Sequence, residues 1–191
     1  MTGAACEPAQ RLFFALWPDE EARSALARAT AKAVRHCGGR PVPAANLHAT
    51  LAFLGSVPQG RIPQLKRTAR ELAAEFAPAA PLALSFDRLA HWPRPQILCA
   101  LAGGETPAAL ALATALREAL VAAGFTPDLK PFEGHVTVAR KVTRFPDAPL
   151  ARPVVWLFES FALVDCRTES GGPIYSVVES YPLVKAEKAR N

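Results

Sequence analysis

Two short segments of the sequence carry the same pattern, a histidine, one apolar residue and a threonine. The first is His48-Ala-Thr50 and the second is His135-Val-Thr137, and each stands in an apolar run typical of a buried strand. Because alternate residues of a strand share one face, each pattern presents an imidazole and a hydroxyl side by side above an apolar layer. One such pair is more often a satisfied core histidine, whereas two copies favour a shared functional site.

Two histidines that face each other across a cleft can act as general base and general acid. Their ordinary pKa of about 6.5 lets one imidazole be neutral while the other is protonated. Two hydroxyls beside them can donate to anionic oxygens, so the four side chains suit hydrolysis of a phosphodiester. Phosphoryl metal sites use carboxylates, and neither pattern has Asp or Glu within its strand. We therefore expect no metal and no other cofactor.

Each pattern follows a strand and a helix, in two units of similar length. The first unit has an aromatic-rich strand from Arg11, then a helix, then His48. The second has a strand from Gln96, a helix over 107–123, then His135. The separations of 37 and 39 residues predict two related halves, although unrelated units of common length would give the same spacing. A pseudo-two-fold arrangement of such halves would bring the two patterns face to face.

Other segments predict further helices and strands. A helix is predicted over 62–76, where apolar residues recur at helical spacing with basic residues on the other side. Two strands are predicted over 82–89 and 96–102, joined by a proline-rich turn. The chain is predicted to close with a hairpin of strands over 154–164 and 174–184.

The composition is that of an ordinary globular protein of 191 residues, with 50% hydrophobic and 20% charged residues. We expect one compact domain over 1–191. The net charge of +5 favours an anionic partner such as RNA or a phosphorylated small molecule. No apolar run is long enough to span a membrane and no signal peptide is evident, so we expect a cytoplasmic protein. The four cysteines are too scattered to indicate a zinc site or a disulfide scaffold.

The two patterns and their flanks together resemble the two-histidine (2H) phosphoesterase superfamily. The resemblance is carried by His48-Ala-Thr-Leu-Ala-Phe-Leu-Gly, by Phe132-Glu-Gly-His-Val-Thr-Val-Ala-Arg, by Arg-Leu-Phe-Phe-Ala-Leu from Arg11, and by Gly-Pro-Ile-Tyr ending at Tyr175. Within the superfamily, the sequence is most similar to the RNA 2′,3′-cyclic phosphodiesterases, also called 2′-5′ RNA ligases. The likeness extends from Arg11 to about residue 183.

The resemblance implies a bilobal α+β fold in a pseudo-two-fold arrangement, with antiparallel sheets lining a central cleft and helices outside. It also implies metal-independent hydrolysis of an RNA or nucleoside 2′,3′-cyclic phosphate to a 2′-phosphate. By this likeness His135 activates water, His48 protonates the departing 3′ oxygen, and Thr50 and Thr137 hold phosphate oxygens. The roles of the two histidines would reverse for the ligation direction or for a substrate bound the other way round. The implied partners are RNA ends or nucleotides with a 2′,3′-cyclic phosphate, and we expect a monomer without membrane association.

Three further residues are candidate substrate contacts. Arg140 matches the family's basic residue after the second motif. Strand parity places it opposite His135, so it reaches the phosphate only if the strand ends or bulges there. Phe132 and Tyr175 are candidates to stack on a base at the cleft mouth. Aromatic residues at strand ends are more often part of the core.

Two other kinds of function are open to this sequence. One is an enzyme of the same fold with another substrate, through 2′-5′ RNA ligation or cleavage or on a different cyclic phosphodiester. The other is a non-catalytic RNA-end-binding module, which needs hydrogen-bond donors but not two titrating groups. The presence of both histidines and both threonines favours catalysis.

Overall fold

The computed structural model describes residues 7–78, 80–104, 106–128, 130–169 and 172–183. In this part of the chain the α-helices are α1 (Glu20–His36), α2 (Ile62–Glu75) and α3 (Pro107–Ala122). The strands are β1 (Ala9–Leu16), β2 (Arg40–Pro41), β3 (Ala49–Pro58), β4 (Leu82–Trp92), β5 (Ile97–Ala102), β6 (His135–Arg140), β7 (Ala148–Phe158), β8 (Ser160–Glu169) and β9 (Gly172–Pro182).

The strands form two antiparallel sheets. Sheet A has the order β3-β1-β8-β9, and sheet B has the order β2-β6-β5-β4-β7. Apart from the two-residue β2, the sheets have matching orders when β3 is paired with β6 and β1 with β5. The expected α+β class and the two related halves are therefore confirmed.

The helices connect the two halves. Helix α1 follows β1 of sheet A but packs against β6 and β7 of sheet B, whereas α3 follows β5 of sheet B and packs against β3 of sheet A as well as against β4 of its own sheet. Trp156 on β7 donates a hydrogen bond from Nε1 to the carbonyl of Ala22 on α1, at 2.9 Å. Each half therefore packs a helix against the sheet of the other.

One large apolar core joins both sheets and the helices. Its largest fully buried side chains come from both sheets: Phe14, Phe161 and Tyr181 from sheet A, and Phe86 and Trp156 from sheet B. Strand β1 is buried on both faces, which explains its continuous apolar run. Its even-numbered residues from Leu12 to Leu16 enter this core, and its odd-numbered residues lie in a second cluster on the opposite face.

The predicted helices are confirmed within one or two residues. Helix α1 begins after Asp19, whose carboxylate accepts a hydrogen bond from the Ala22 amide at 2.8 Å and so satisfies one free donor of the first turn. Acidic Glu20 and Glu21 lie in that turn, where the helix dipole favours negative charge.

The predicted closing hairpin is wrong in one respect. The segment over 154–164 is not one strand, because the chain bends at Glu159 between β7 and β8. Strand β7 pairs with β4 in sheet B, and β8 pairs with β9 in sheet A. Both strands are apolar on either side of the bend, so the sequence pattern gave no sign that the chain changes sheets here.

Strand β2 passes very close to the end of β6 at a glycine. A Cβ atom on Gly39 would lie 2.5 Å from Cγ2 of Val142 and 2.7 Å from the carbonyl oxygen of Arg140. The next residue, Arg40, is paired with Arg140 across the two strands. The absence of a side chain at Gly39 therefore lets β2 hold the end of β6 in place.

We expect Gly39→Ala to destabilise the protein by about 1–3 kcal/mol, because the backbone at Arg140 cannot move aside as a flexible side chain could. Gly60→Ala is the matched control, since a Cβ atom there meets only the flexible Glu7 carboxylate. The measurement is the denaturant midpoint of each variant. Equal midpoints for the two variants would contradict this account of the β2 contact.

Candidate active site

The two His-x-Thr motifs meet in one small cavity between the sheets. His48 directly precedes β3 of sheet A and Thr50 lies on it, whereas His135 and Thr137 lie on β6 of sheet B. All four line an inner cavity of about 60 Å³, together with Val42, Asn46, Arg140 and Tyr175. The fold thus brings together two pairs of side chains from distant parts of the sequence.

The same β-bulge follows the threonine in both motifs. On β3, Thr50 pairs with Ala15 and Ala52 pairs with Phe14, so Leu51 is the extra residue. Two successive residues, Leu51 and Ala52, therefore enter the main core. The bulge reverses the parity of the strand and places Phe53 on the same face as Thr50, where it lines the cleft.

The bulge on β6 decides the position of Arg140. Thr137 pairs with Cys99 and Ala139 pairs with Leu98, so Val138 is the extra residue. Val138 and Ala139 both enter the main core, and Arg140 faces the cavity with His135 and Thr137. In a regular strand Arg140 would lie on the face opposite His135. The sequence analysis required a strand end or a bulge for Arg140 to reach the site, and the structure has the bulge.

In each bulge, the carbonyl of the extra residue accepts a hydrogen bond from a group on another part of the chain. The Leu51 oxygen accepts a hydrogen bond from Nη2 of Arg117 on α3, at 3.2 Å. The Val138 oxygen accepts one from the backbone amide of Val42, at 3.0 Å. A buried carbonyl without a partner is costly, so these contacts stabilise the two bulges.

Both histidines are held through the same ring nitrogen. Nδ1 of His48 lies 2.7 Å from the Asn46 carbonyl oxygen, and Nδ1 of His135 lies 2.8 Å from that of Glu133. A carbonyl oxygen can only accept, so Nδ1 carries the hydrogen in both rings. Nε2 is therefore the nitrogen available to a substrate, and in a neutral ring it can take up a proton.

Aromatic side chains pack against both imidazoles. His48 stacks on Trp17 with ring centroids 5.4 Å apart, contacts Phe13 at 4.9 Å, and meets Tyr175 edge-on at 5.1 Å. His135 contacts Trp92 at 4.5 Å. These contacts fix the ring planes and remove much of the water around them.

The environment disfavours the charged form of both histidines. Burial lowers the pKa of His48 to about 4, and the nearby positive charges of Arg140 and His135 act in the same direction, against the Asn46 carbonyl. Burial also lowers the pKa of His135, whereas the Glu133 carbonyl and carboxylate raise it. Without a bound anion, His48 is therefore neutral at neutral pH.

A larger outer cavity of about 450 Å³ adjoins this site. It shares His48, Thr50, Arg140 and Tyr175 with the inner cavity. Its other lining residues are Arg11, Phe13, Phe53, Cys166, Thr168 and Pro173. Neither lining contains a carboxylate, so the side chains that line the two cavities offer an anion hydrogen-bond donors and positive charge, although the Glu133 carboxylate beside the inner cavity acts on His135. Its size is within the range of small-molecule sites.

The structure separates the two aromatic candidates. Tyr175 lines both cavities, where a base could reach it. Phe132 lines neither cavity and packs against the main core. The Gly134 carbonyl accepts a hydrogen bond from the Ala102 amide at 2.7 Å, which extends the pairing of β5 with β6. Phe132 is partly buried against the core, and its stacking on a base stays a prediction.

Sequence reasoning missed several residues that shape the site. Trp17 and Trp92 were not predicted as site residues, and they contact the two histidines. Arg11 and Phe53 in the outer cavity were not singled out. Arg11 could have been found, because it has the same parity on β1 as Phe13. Phe53 could not, because its position depends on the bulge.

Two further features of the described residues bear on the class of protein. They contain no cluster of three or more His, Cys, Asp or Glu side chains that could hold a metal ion. Among them, no helix has both the length and the apolar character needed to cross a membrane.

Comparisons with known proteins show which family this chain belongs to. A family model described as LigT like Phosphoesterase matches residues 16–99, which include the first motif. An RNA 2′,3′-cyclic phosphodiesterase of Thermus thermophilus is 34% identical over 186 residues, which cover 91% of this chain and 90% of the relative. Another, from Escherichia coli, is 34% identical over 132 residues, which cover 69% of this chain and 72% of the relative.

Solved structures show the same fold. The crystal structure of E. coli LigT complexed with 3′-AMP matches with a TM-score of 0.80 at 28% identity, and the match covers 92% of this chain and 99% of that one. The similarity to the Thermus protein extends over nearly the whole of both chains. This chain therefore belongs to the LigT-like phosphoesterases of the 2H superfamily.

Proposed function

We propose that this protein hydrolyses the 2′,3′-cyclic phosphate of an RNA end or nucleotide to a 2′-phosphate, with two histidines and no metal ion. The observation that carries the proposal is the inner cavity, where His48 and His135 meet with Nδ1 of each ring bound to a carbonyl. The names of its relatives support the substrate class, since both are RNA 2′,3′-cyclic phosphodiesterases.

The reaction needs one proton acceptor and one proton donor. His135 takes a proton from water through Nε2 as the water oxygen bonds to phosphorus. The bond between phosphorus and the 3′ oxygen breaks, and protonated His48 gives its proton to that oxygen. The product is a 2′-phosphate with a free 3′ hydroxyl. Exchange with solvent then restores the two starting protonation states.

The threonines and Arg140 stabilise the charge on the phosphoryl group. Thr50 and Thr137 can each donate a hydrogen bond to a non-bridging oxygen, and Arg140 supplies the positive charge in the same cavity. The donors are fixed before the substrate arrives, because Thr50 and Thr137 stand on bulged strands anchored to other elements. Such a site stabilises developing charge without reorganising.

His48 can act as the acid only if the substrate restores its proton. The pKa of His48 is about 4 in the empty cleft, so most molecules lack this proton at neutral pH. A bound phosphate anion favours the charged imidazole and offsets the opposite effect of Arg140. The substrate thus prepares the acid that its own leaving group requires.

The main prediction concerns single replacements of the histidines. His48→Ala and His135→Ala should each lower kcat by roughly 10²- to 10⁴-fold, the usual loss for a general acid or base. Affinity for the 2′-phosphate product should fall much less, since Thr50, Thr137 and Arg140 remain. The assay follows hydrolysis of a nucleoside 2′,3′-cyclic phosphate and identifies the product isomer by ³¹P NMR. His36→Ala is the control, because His36 lies exposed on α1.

A substrate with sulfur in place of the 3′ oxygen tests the order of the two roles. A thiolate leaves without protonation, so this substrate should restore turnover to His48→Ala and not to His135→Ala. Rescue of His135→Ala instead would reverse the order. If both variants hydrolyse the normal substrate at the parent rate but bind RNA ends less tightly, the histidines are ligand contacts and not the acid and base. If the parent protein itself shows no turnover and both variants bind RNA ends less tightly, the protein is a binding module.

Activity should persist after divalent metals are removed. The cleft lining supplies imidazole, hydroxyl and guanidinium groups and no carboxylate, so charge stabilisation does not depend on a Lewis acid. The measurement is kcat after dialysis against EDTA, with Mg²⁺, Mn²⁺ or Zn²⁺ added back in parallel. Loss of turnover that one of these metals restores would contradict the mechanism.

The pKa of His48 should rise when Arg140 loses its charge. A positive neighbour disfavours the protonated imidazole, so Arg140→Gln should move the His48 midpoint upward from about 4. NMR titration of the labelled ring measures the midpoint, and the spectrum of His48→Ala assigns the signal. Arg144→Gln removes the same charge elsewhere and should leave the midpoint unchanged. An unchanged midpoint in Arg140→Gln would mean that Arg140 does not act on the ring.

A further inference from the structure

We propose that Arg11 and Phe53 form a second phosphate site, which binds the phosphodiester on the 5′ side of the nucleotide that carries the cyclic phosphate. The proposal rests on the proposed function and narrows its substrate class. It makes an oligonucleotide end the preferred substrate over a cyclic mononucleotide, because only the oligonucleotide has that linkage.

The fold places Arg11 on the cleft side of sheet A. Arg11, Phe13 and Ala15 share one face of β1, and the latter two form the cluster behind the cleft. The guanidinium carbon of Arg11 lies 5.1 Å from the centroid of the Phe53 ring, within the range of a cation–π contact. The aromatic face restrains a long side chain that would otherwise be free in solvent.

The charge of Arg11 is available to a ligand. The ion pairs among the described residues do not include Arg11, and no carboxylate lines the outer cavity. Asp165 lies on the adjacent strand, but it is buried opposite Leu12 and paired with Arg167. The positive charge of Arg11 acts within the cleft. It lowers the pKa of Cys166, although burial raises that pKa by more.

The spacing of the two sites fits one nucleotide. On β3, Thr50 is paired with Ala15 of β1, and Phe53 is paired with Phe13 of β1. Measured along β1, Thr50 and Phe53 are therefore two residues apart. Two residues of a strand span about 7 Å. A single nucleotide can bridge that distance with its cyclic phosphate near Thr50 and its 5′ phosphate at the guanidinium over Phe53.

An arginine is suited to this ligand. Its planar guanidinium presents several N–H donors and stays charged at every pH of interest, so it binds phosphate oxygens through charge-assisted hydrogen bonds. Phe53 holds the plane in place, which reduces the flexibility lost on binding. A nucleobase alone would gain little from the positive charge, whereas a phosphodiester gains from both charge and geometry.

The test compares two dinucleotides that both end in a 2′,3′-cyclic phosphate. One has a normal phosphodiester between its nucleosides, and the other has an uncharged methylphosphonate. The parent enzyme should show a higher kcat/KM for the charged substrate. Arg11→Gln should reduce that preference by roughly 10-fold, which one charge-assisted hydrogen bond in a partly solvated cleft can supply. Arg28→Gln, which removes an exposed charge from α1, should keep the parent preference.

The preference between the two dinucleotides decides the role of Arg11. If Arg11→Gln lowers kcat/KM equally for both or changes neither, Arg11 does not bind the linkage and the proposal is overturned. If the parent enzyme hydrolyses neither dinucleotide, the proposed function fails. The same comparison is then made with dissociation constants for the two dinucleotide 2′-phosphates, where a charge-dependent loss in Arg11→Gln still supports the phosphate site and its absence overturns it.

Discussion

The site depends on a change of parity within two strands. A regular strand can place His and Thr on one face, but the residue three positions after Thr then points away. One extra residue, Leu51 in one strand and Val138 in the other, brings Phe53 and Arg140 back to the cleft. The freed carbonyls are bound by Arg117 and by the Val42 amide, which belong to other parts of the chain. The geometry of the site is thus held by the packing of the whole fold.

The second constraint is electrostatic. Aromatic rings and burial disfavour the charged forms of His48 and His135, and Arg140 strengthens that effect on His48. No carboxylate lines the two described cavities, so the lining itself offers an anionic ligand hydrogen-bond donors and positive charge. In the proposed mechanism, a bound phosphate anion raises the pKa of His48. Charge complementarity and the proposed acid–base chemistry therefore depend on the same ligand.

The two halves are related, but neither is complete. Each supplies one His-x-Thr motif and one sheet, and helices α1 and α3 connect each half to the sheet of the other. The halves differ at the residue three positions after each threonine, just beyond the bulge. This residue is Phe53 in the first half and Arg140 in the second. One half offers an aromatic surface and the other a positive charge, so the pseudo-symmetric cleft can distinguish the two ends of an asymmetric substrate.

The sequence by itself determined the repeated motif, the helices and most strands, because these depend on local periodicity. It also indicated the proposed chemistry, since residue type and alternation alone put an imidazole beside a hydroxyl twice. The tertiary structure decided what local pattern cannot encode. The bend at Glu159 sends β7 and β8 to different sheets, Phe132 packs partly buried against the core, and the bulge after Thr137 brings Arg140 to the inner cavity. Each of these outcomes depends on a contact with a segment distant in sequence. An apolar run in the sequence does not indicate which of the possible segments it will pack against.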